Sequence, residues 1–148
     1  SNDFVAYVWD TVSGQVIYRF NHPSRVTMVA LDPKARYAFT ADSKKSANIW
    51  DLKTGELVSQ LKYFNRQEIF RAVQFSPDGT KLLTGAPSRK VSVWDIATGE
   101  RLTSWRVLPR DDIRPAGAVV YSVAFRDNNQ VITESSSGYA ELWQVNKQ

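Results

Sequence analysis

The sequence predicts an all-β fold assembled from repeated antiparallel units, and three observations carry that expectation. A strand-like phrase ending in Trp recurs at Val8-Trp9-Asp10, Ile49-Trp50-Asp51, Val93-Trp94-Asp95 and, in a weaker form, Leu142-Trp143-Gln144. The Trp residues are spaced by 41, 44 and 49 positions, a period in the range of propeller repeats. Between them lie short alternating apolar runs bounded by turn residues, with no stretch of helical periodicity.

Each repeat carries the same parts in the same order. An apolar alternation leads into a tight turn at Val29-Ala30-Leu31-Asp32-Pro33-Lys34-Ala35, Val73-Gln74-Phe75-Ser76-Pro77-Asp78-Gly79 and Val123-Ala124-Phe125-Arg126-Asp127-Asn128-Asn129. Proline presets φ at the first turn position, and glycine or asparagine tolerates positive φ further on. A second run follows, with Thr40, Thr84 and Thr133 each ten residues before the repeat's Trp. After the Trp-Asp comes a Ser/Thr-Gly turn, at Ser13-Gly14, Thr54-Gly55 and Thr98-Gly99.

These phrases resemble the WD40-repeat β-propeller family over nearly the whole chain. The resemblance implies blades of four antiparallel strands, a to d from the centre outward, with the Trp-Asp closing strand c. Strands are then expected at 4–9 and 15–20 (c, d), at 26–31, 36–41, 47–50 and 57–62, at 71–75, 81–85, 91–94 and 101–106, and at 119–125, 130–134 and 139–143. The expected architecture is an incomplete propeller of about three blades plus an N-terminal c–d strand pair, all within one unit spanning 1–148. Its parts are a partial blade at 4–20, blades at 26–62 and 71–106, and a blade at 119–148 without its outer strand. A four-stranded blade covers its faces only by stacking on neighbours, and closed rings take about four to eight blades. The surplus strand ending at Trp9 favours reading the chain as the C-terminal part of a larger propeller. The alternative is a subunit that completes a ring by oligomerisation, and unclosed edges invite self-association.

Family blades often join a d–a loop His, a strand-b hydroxyl, a b–c turn Asp and the Trp in one hydrogen-bonded network. The Trp residues (9, 50, 94, 143) and the three Thr are the structural residues expected here, with His22, the single histidine, in the d–a position. Counting six residues back from the Trp finds Lys44, Ser88 and Ser137, so the Asp is expected to be missing from every repeat and Thr40, Thr84 and Thr133 to receive the indole N–H groups.

Two d–a loops are expanded, at 63–70 and 108–118. In the family these loops share one face with the b–c turns. That face collects Lys44, Arg66, Arg89, Arg110 and Arg114 with Phe64, Phe70 and Ile113, while Asp10, Asp32, Asp51, Asp78, Asp95 and Asp127 gather opposite. Arginine beside apolar groups on scaffold loops is the usual make-up of a protein-binding surface. These eight residues are the candidate partner contacts, and the partner is expected to be a protein, with an acidic one favoured.

Composition narrows the remaining classes. Nineteen Lys and Arg against fifteen Asp and Glu leave a net charge of +4, too small to propose a nucleic-acid partner. The chain has no cysteine, which removes disulfides and thiolate chemistry but assigns no compartment, and cytoplasmic and bacterial-envelope locations both stay open. There is no Walker loop, GxGxxG, HExxH or GxSxG, one histidine cannot form a multi-histidine metal site, and no apolar run is long enough for a membrane span. The reading is a non-catalytic interaction scaffold without metal or cofactor. A ligand-binding or hydrolytic propeller whose site needs further blades is the alternative.

Overall fold

The computed structural model describes residues 4–44, 46–63, 69–108, 120–135 and 140–145. Among these residues, thirteen strands form four antiparallel sheets. Sheet I pairs β1 (Val5–Trp9) with β2 (Val16–Asn21). Sheet II holds β3 (Val26–Leu31), β4 (Tyr37–Asp42), β5 (Ala47–Asp51) and β6 (Leu57–Gln60) in sequential order. Sheet III repeats this with β7 (Ala72–Phe75), β8 (Lys81–Gly85), β9 (Lys90–Asp95) and β10 (Arg101–Arg106). Sheet IV has β11 (Val120–Phe125), β12 (Gln130–Ser135) and β13 (Ala140–Gln144). The result is an open, incomplete β-propeller with the strand sequence that the repeats predict. Among the described residues no helix is long and apolar enough to cross a membrane.

The repeat holds in register as well as in sequence. Val29, Val73 and Val123 lie opposite Thr40, Thr84 and Thr133, and Leu31, Phe75 and Phe125 lie opposite Ala38, Leu82 and Val131. Strand pairing alternates side chains between faces, so each sheet has two apolar faces. The face bearing the Thr and the Trp turns toward the preceding sheet, and the face bearing Phe39 and Ile49, or Leu83 and Val93, turns toward the next.

Packing follows directly. Phe39, Ala41 and Ile49 of sheet II meet Phe75, Leu82 and Trp94 of sheet III in one cluster. Leu83, Val91 and Val93 of sheet III meet Val120, Val123 and Val131 of sheet IV in a second. Sheet I is held by Ala6 and Phe20 against Ala38 and Trp50, with the Phe20 and Trp50 rings stacked 4.4 Å apart. β6 stops at Gln60, two residues short of expectation, because the chain leaves the sheet: Lys62 N–H donates to Gly99 O of the neighbouring c–d turn, at 2.9 Å.

Turn chemistry confirms which loops share an end. Leu52 N–H donates to Arg36 O, Ile96 N–H to Thr80 O and Val145 N–H to Asn129 O. Each bond ties the segment after strand c to an a–b turn. At the other end Ser43 N–H donates to Arg25 O and Arg71 N–H to Gly85 O, which ties d–a loops to b–c turns.

Candidate interaction face

The b–c and d–a end begins with a buried network. Trp50 Nε1–H donates to Thr40 Oγ1 at 2.7 Å, and His22 Nε2 lies 2.6 Å from the same oxygen. His22 Nδ1 lies 3.2 Å from Asp42 Oδ2. The tautomer with its proton on Nδ1 satisfies all three contacts: Nδ1–H donates to Asp42, Nε2 accepts from the Thr40 hydroxyl, and that oxygen accepts from the indole. The other Asp42 oxygen accepts the N–H groups of Lys44 at 2.8 Å and Ser46 at 3.0 Å, closing the b–c turn.

This corrects the expectation that the network is absent from every repeat. The Asp stands eight residues before the Trp, at Asp42, and not six. A fixed offset misplaces it because it fixes no turn geometry: Asp42 is the last residue of β4, two beyond Thr40, and its side chain reaches back to His22. The other two repeats have Ala86 and Ser135 at that place and no histidine, and keep only the Thr–Trp bond: Trp94 to Thr84 at 2.9 Å and Trp143 to Thr133 at 3.1 Å. Carboxylate, imidazole and hydroxyl here stand in the order of a nucleophilic triad. The His22 and Asp42 side chains are fully buried, however, and the hydroxyl already receives the indole, so the arrangement holds the d–a loop to its blade.

Trp9, grouped with the structural tryptophans by its position in the phrase, behaves differently. It is 58% exposed and lies near Tyr7, with ring centroids 6.1 Å apart. No sheet covers it.

Among the candidate contacts, Lys44 is exposed on the b–c turn of sheet II, and its ammonium makes no ion pair among the described residues. Arg89 occupies the corresponding turn of sheet III at φ 66°, half-buried, with Nη1 3.5 Å from Val107 O. Phe70 is a correction: only 8% exposed, it packs edge-on against Phe39 at 5.5 Å and Tyr63 at 5.7 Å. Its ring fills the join between sheets II and III and is closed to a partner. Ile69, beside it, is an exposed apolar group among the described residues of that loop. Phe64, Arg66, Arg110, Ile113 and Arg114 lie outside the described residues.

The acidic end has a structural origin. Asp10, Asp51, Asp95 and Asp127 each accept a backbone N–H from two residues ahead, at 2.9, 2.6, 2.8 and 2.7 Å, the Asx turn that such positions favour. Asp32 is buried and bridges to Arg36. Burial pushes its carboxyl up, but the Arg36 guanidinium together with the backbone N–H groups of Lys34 and Arg36 outweighs this and holds it below the usual range. Burial likewise raises Asp78, and the hydroxyls of Ser76 and Thr80 with the Thr80 N–H outweigh it, so the pKa falls to about 2. These carboxylates are committed to turns. The basic groups Lys44 and Arg89 opposite them build no comparable turn through their side chains.

The family model of the WD domain, G-beta repeat (WD40), matches residues 58–95. Eukaryotic translation initiation factor 3 subunit I from Aspergillus terreus is 32% identical over 84 residues, which cover 56% of this chain and 24% of the relative. The same subunit from Kluyveromyces lactis is also 32% identical over 84 residues, covering 23% of its length. The match therefore spans about a quarter of these relatives. Among solved structures, the computationally designed protein Ika4 superposes on 99% of this chain and 82% of its own with a TM-score of 0.72 at 24% identity. The designed protein Ika8 gives the same TM-score and identity over 98% of this chain and 41% of its own. Those two likenesses concern the fold alone. The repeated Trp–Thr bonds, the His22–Asp42 network, the matched repeat and the similar subunits converge: residues 58–95 form a WD40 repeat, and the chain is similar to WD40-repeat proteins.

Proposed function

We propose that the chain is a non-catalytic scaffold for protein–protein interaction, with residues 1–148 acting as one partial propeller that offers its b–c and d–a end to an acidic partner segment. The carrying observation is the contrast between the two ends: the aspartates of one are bound into turns, while at the other Lys44 is exposed on its turn and Arg89, half-buried, makes only a long bond to Val107 O. By sequence, Arg66, Arg110 and Arg114 with Phe64 and Ile113 fall in the two expanded d–a segments, and Ile69 adds an exposed apolar group in place of the buried Phe70. Basic groups ringing apolar anchors steer and then hold an acidic segment. Similarity to a subunit of a multi-subunit initiation factor supports protein partners. The burial of the one histidine supports a role without catalysis.

The test compares the immobilised chain with an Arg66→Glu, Arg89→Glu, Arg110→Glu variant, reading captured proteins by quantitative mass spectrometry. A tenfold or greater loss of the specifically captured proteins is expected. Equal recovery by the two would overturn the assignment to this face.

A further inference from the structure

Arg36 serves the a–b turn of sheet II in two ways. Its carbonyl receives the Leu52 N–H, as the carbonyls of Thr80 and Asn129 receive Ile96 and Val145 in the next two repeats. Its side chain departs from the pattern. Thr80 Oγ1 turns back to Asp78 of its own turn, at 2.7 Å, whereas the Arg36 guanidinium leaves its sheet. Nε and Nη2 are held by the two oxygens of the buried Asp32 carboxylate. Nη2 also reaches Ser76 O at 3.4 Å and Pro77 O at 3.2 Å, both in the a–b turn of sheet III. Gly79 makes the room, because a Cβ there would lie 2.5 Å from Arg36 Nη1. The positive φ of that position does not by itself demand glycine: Ala35 holds φ 55° at the equivalent place in sheet II. What glycine supplies at 79 is space for the neighbouring sheet's arginine.

We propose that Arg36 is a positioning residue for the interaction face: a latch between sheets II and III that fixes the spacing of their b–c turns, which carry Lys44 and Arg89. The two sheets meet through an apolar layer of Phe39 and Ile49 against Phe75, Leu82 and Trp94. Apolar burial has no preferred direction, so this layer resists separation of the sheets more than it resists sliding. Directional bonds oppose the sliding. One set lies along the outer strand, where Ser59 Oγ–H donates to Ile96 O at 2.5 Å and Lys62 N–H to Gly99 O at 2.9 Å. Arg36 supplies the other, at the a–b turns. Ties at two separate corners of the join stop one sheet from rotating on the other. With the Arg36 tie released, rotation about the outer one carries the two b–c turns past each other, because each sheet moves as a unit. The carboxylate of Asp32 sets the planar guanidinium in place before it crosses to Ser76 and Pro77, a task suited to arginine and not to lysine. The value of a fixed spacing rests on the proposed binding role of that face; the latch itself does not.

The chain has no cysteine, so spin labels at Lys44→Cys and Ser88→Cys, exposed and equivalent positions on the two b–c turns, read the spacing directly by double electron–electron resonance. Arg36→Lys keeps a charge beside Asp32 but not the fork that spans to the next turn. Gly79→Ala displaces the guanidinium from the other side and leaves Arg36 itself in place. Each is expected to shift or broaden the label distance by about 2 Å, the scale of sliding between packed elements, and Arg36→Ala is expected to do the same. Hydrogen exchange of the Phe125 amide, which donates to Gln74 Oε1 at 2.9 Å across the join of sheets III and IV, is expected to stay within about twofold of the parent. An unchanged distance in Arg36→Lys and Gly79→Ala overturns the proposal. So does a changed distance accompanied by faster Phe125 exchange, which marks a general loss of stability and not a released latch. The distance is read with no partner present, so its outcome is separate from that of the capture comparison.

Discussion

Replacing Thr84 by Val removes the acceptor of a fully buried indole while keeping the shape of the side chain. Trp94 is 0% exposed, and its Nε1–H has Thr84 Oγ1 as partner at 2.9 Å. Leaving a buried donor unpaired costs about 1–3 kcal/mol, and the added methyl recovers a fraction of that, so a loss of about 2 kcal/mol is expected. With a urea dependence of about 2 kcal/mol per molar, typical of small proteins, the midpoint falls by about 1 M. The same change at Thr133 is milder, under about 1 kcal/mol, because Trp143 is half-buried and water can take the hydroxyl's place. Thr40→Val is the most costly, about 3 kcal/mol, since it deprives both Trp50 and His22 of their partner. Urea unfolding followed by far-ultraviolet circular dichroism ranks the three. A Thr84→Val midpoint within about 0.2 M of the parent (about a fifth of the expected energy), or a Thr133→Val loss larger than that at Thr84, would refute the reasoning.

Further expectations follow from the turns. Gly99 sits at φ 72° with an added Cβ only 2.1 Å from Gln60 O, whereas Gly14 at φ 70° has nothing within 4 Å of its own. Gly99→Ala should therefore cost about 3 kcal/mol from strain plus backbone overlap, and Gly14→Ala only about 1 kcal/mol from strain, a difference that thermal unfolding can read. Ala35 holds φ 55° at the place of Gly79, so Ala35→Gly should stabilise by about 0.5 kcal/mol, the relief of a left-handed conformation less the added chain entropy; a lowered midpoint would contradict this. The Asp78 carboxyl is depressed from 3.8 to about 2. Its contribution is therefore present above pH 3.8 and lost as pH falls toward 2. Asp78→Asn should flatten the decline of stability across that window, and parallel acid titrations of the two proteins would disprove it.

Strand positions were largely legible because the pattern is local and repeated. Alternation, turn residues and the Trp phrase recur in phase, so an error in one repeat is visible against the others. The ends moved by only a residue or two, as at β6, where Lys62 leaves its sheet for a bond to Gly99 O. The candidate face was less legible. Phe70 reads as a loop aromatic, yet Phe39, from a different repeat, packs edge-on against it, with Tyr63 of its own loop on another side. Asp42 reads as the end of a strand, and only the folded d–a loop brings His22 to it. Nothing in the spelling of Val29 and Leu31, both exposed, distinguishes them from the half-buried Val73 and the buried Phe75.

What the amino-acid order determines by itself is therefore the repeating unit: which residues alternate, where each turn reverses the chain, and which Thr lies opposite which Val. These follow from interactions within one blade, between strands joined by short turns. What only the tertiary structure decided is cover. Whether an apolar position is core or surface, whether an aromatic is anchor or filler, and whether a His–Asp–Thr set is reachable all depend on the neighbouring sheet. That sheet comes from a different repeat, and burial is a property of two surfaces brought together.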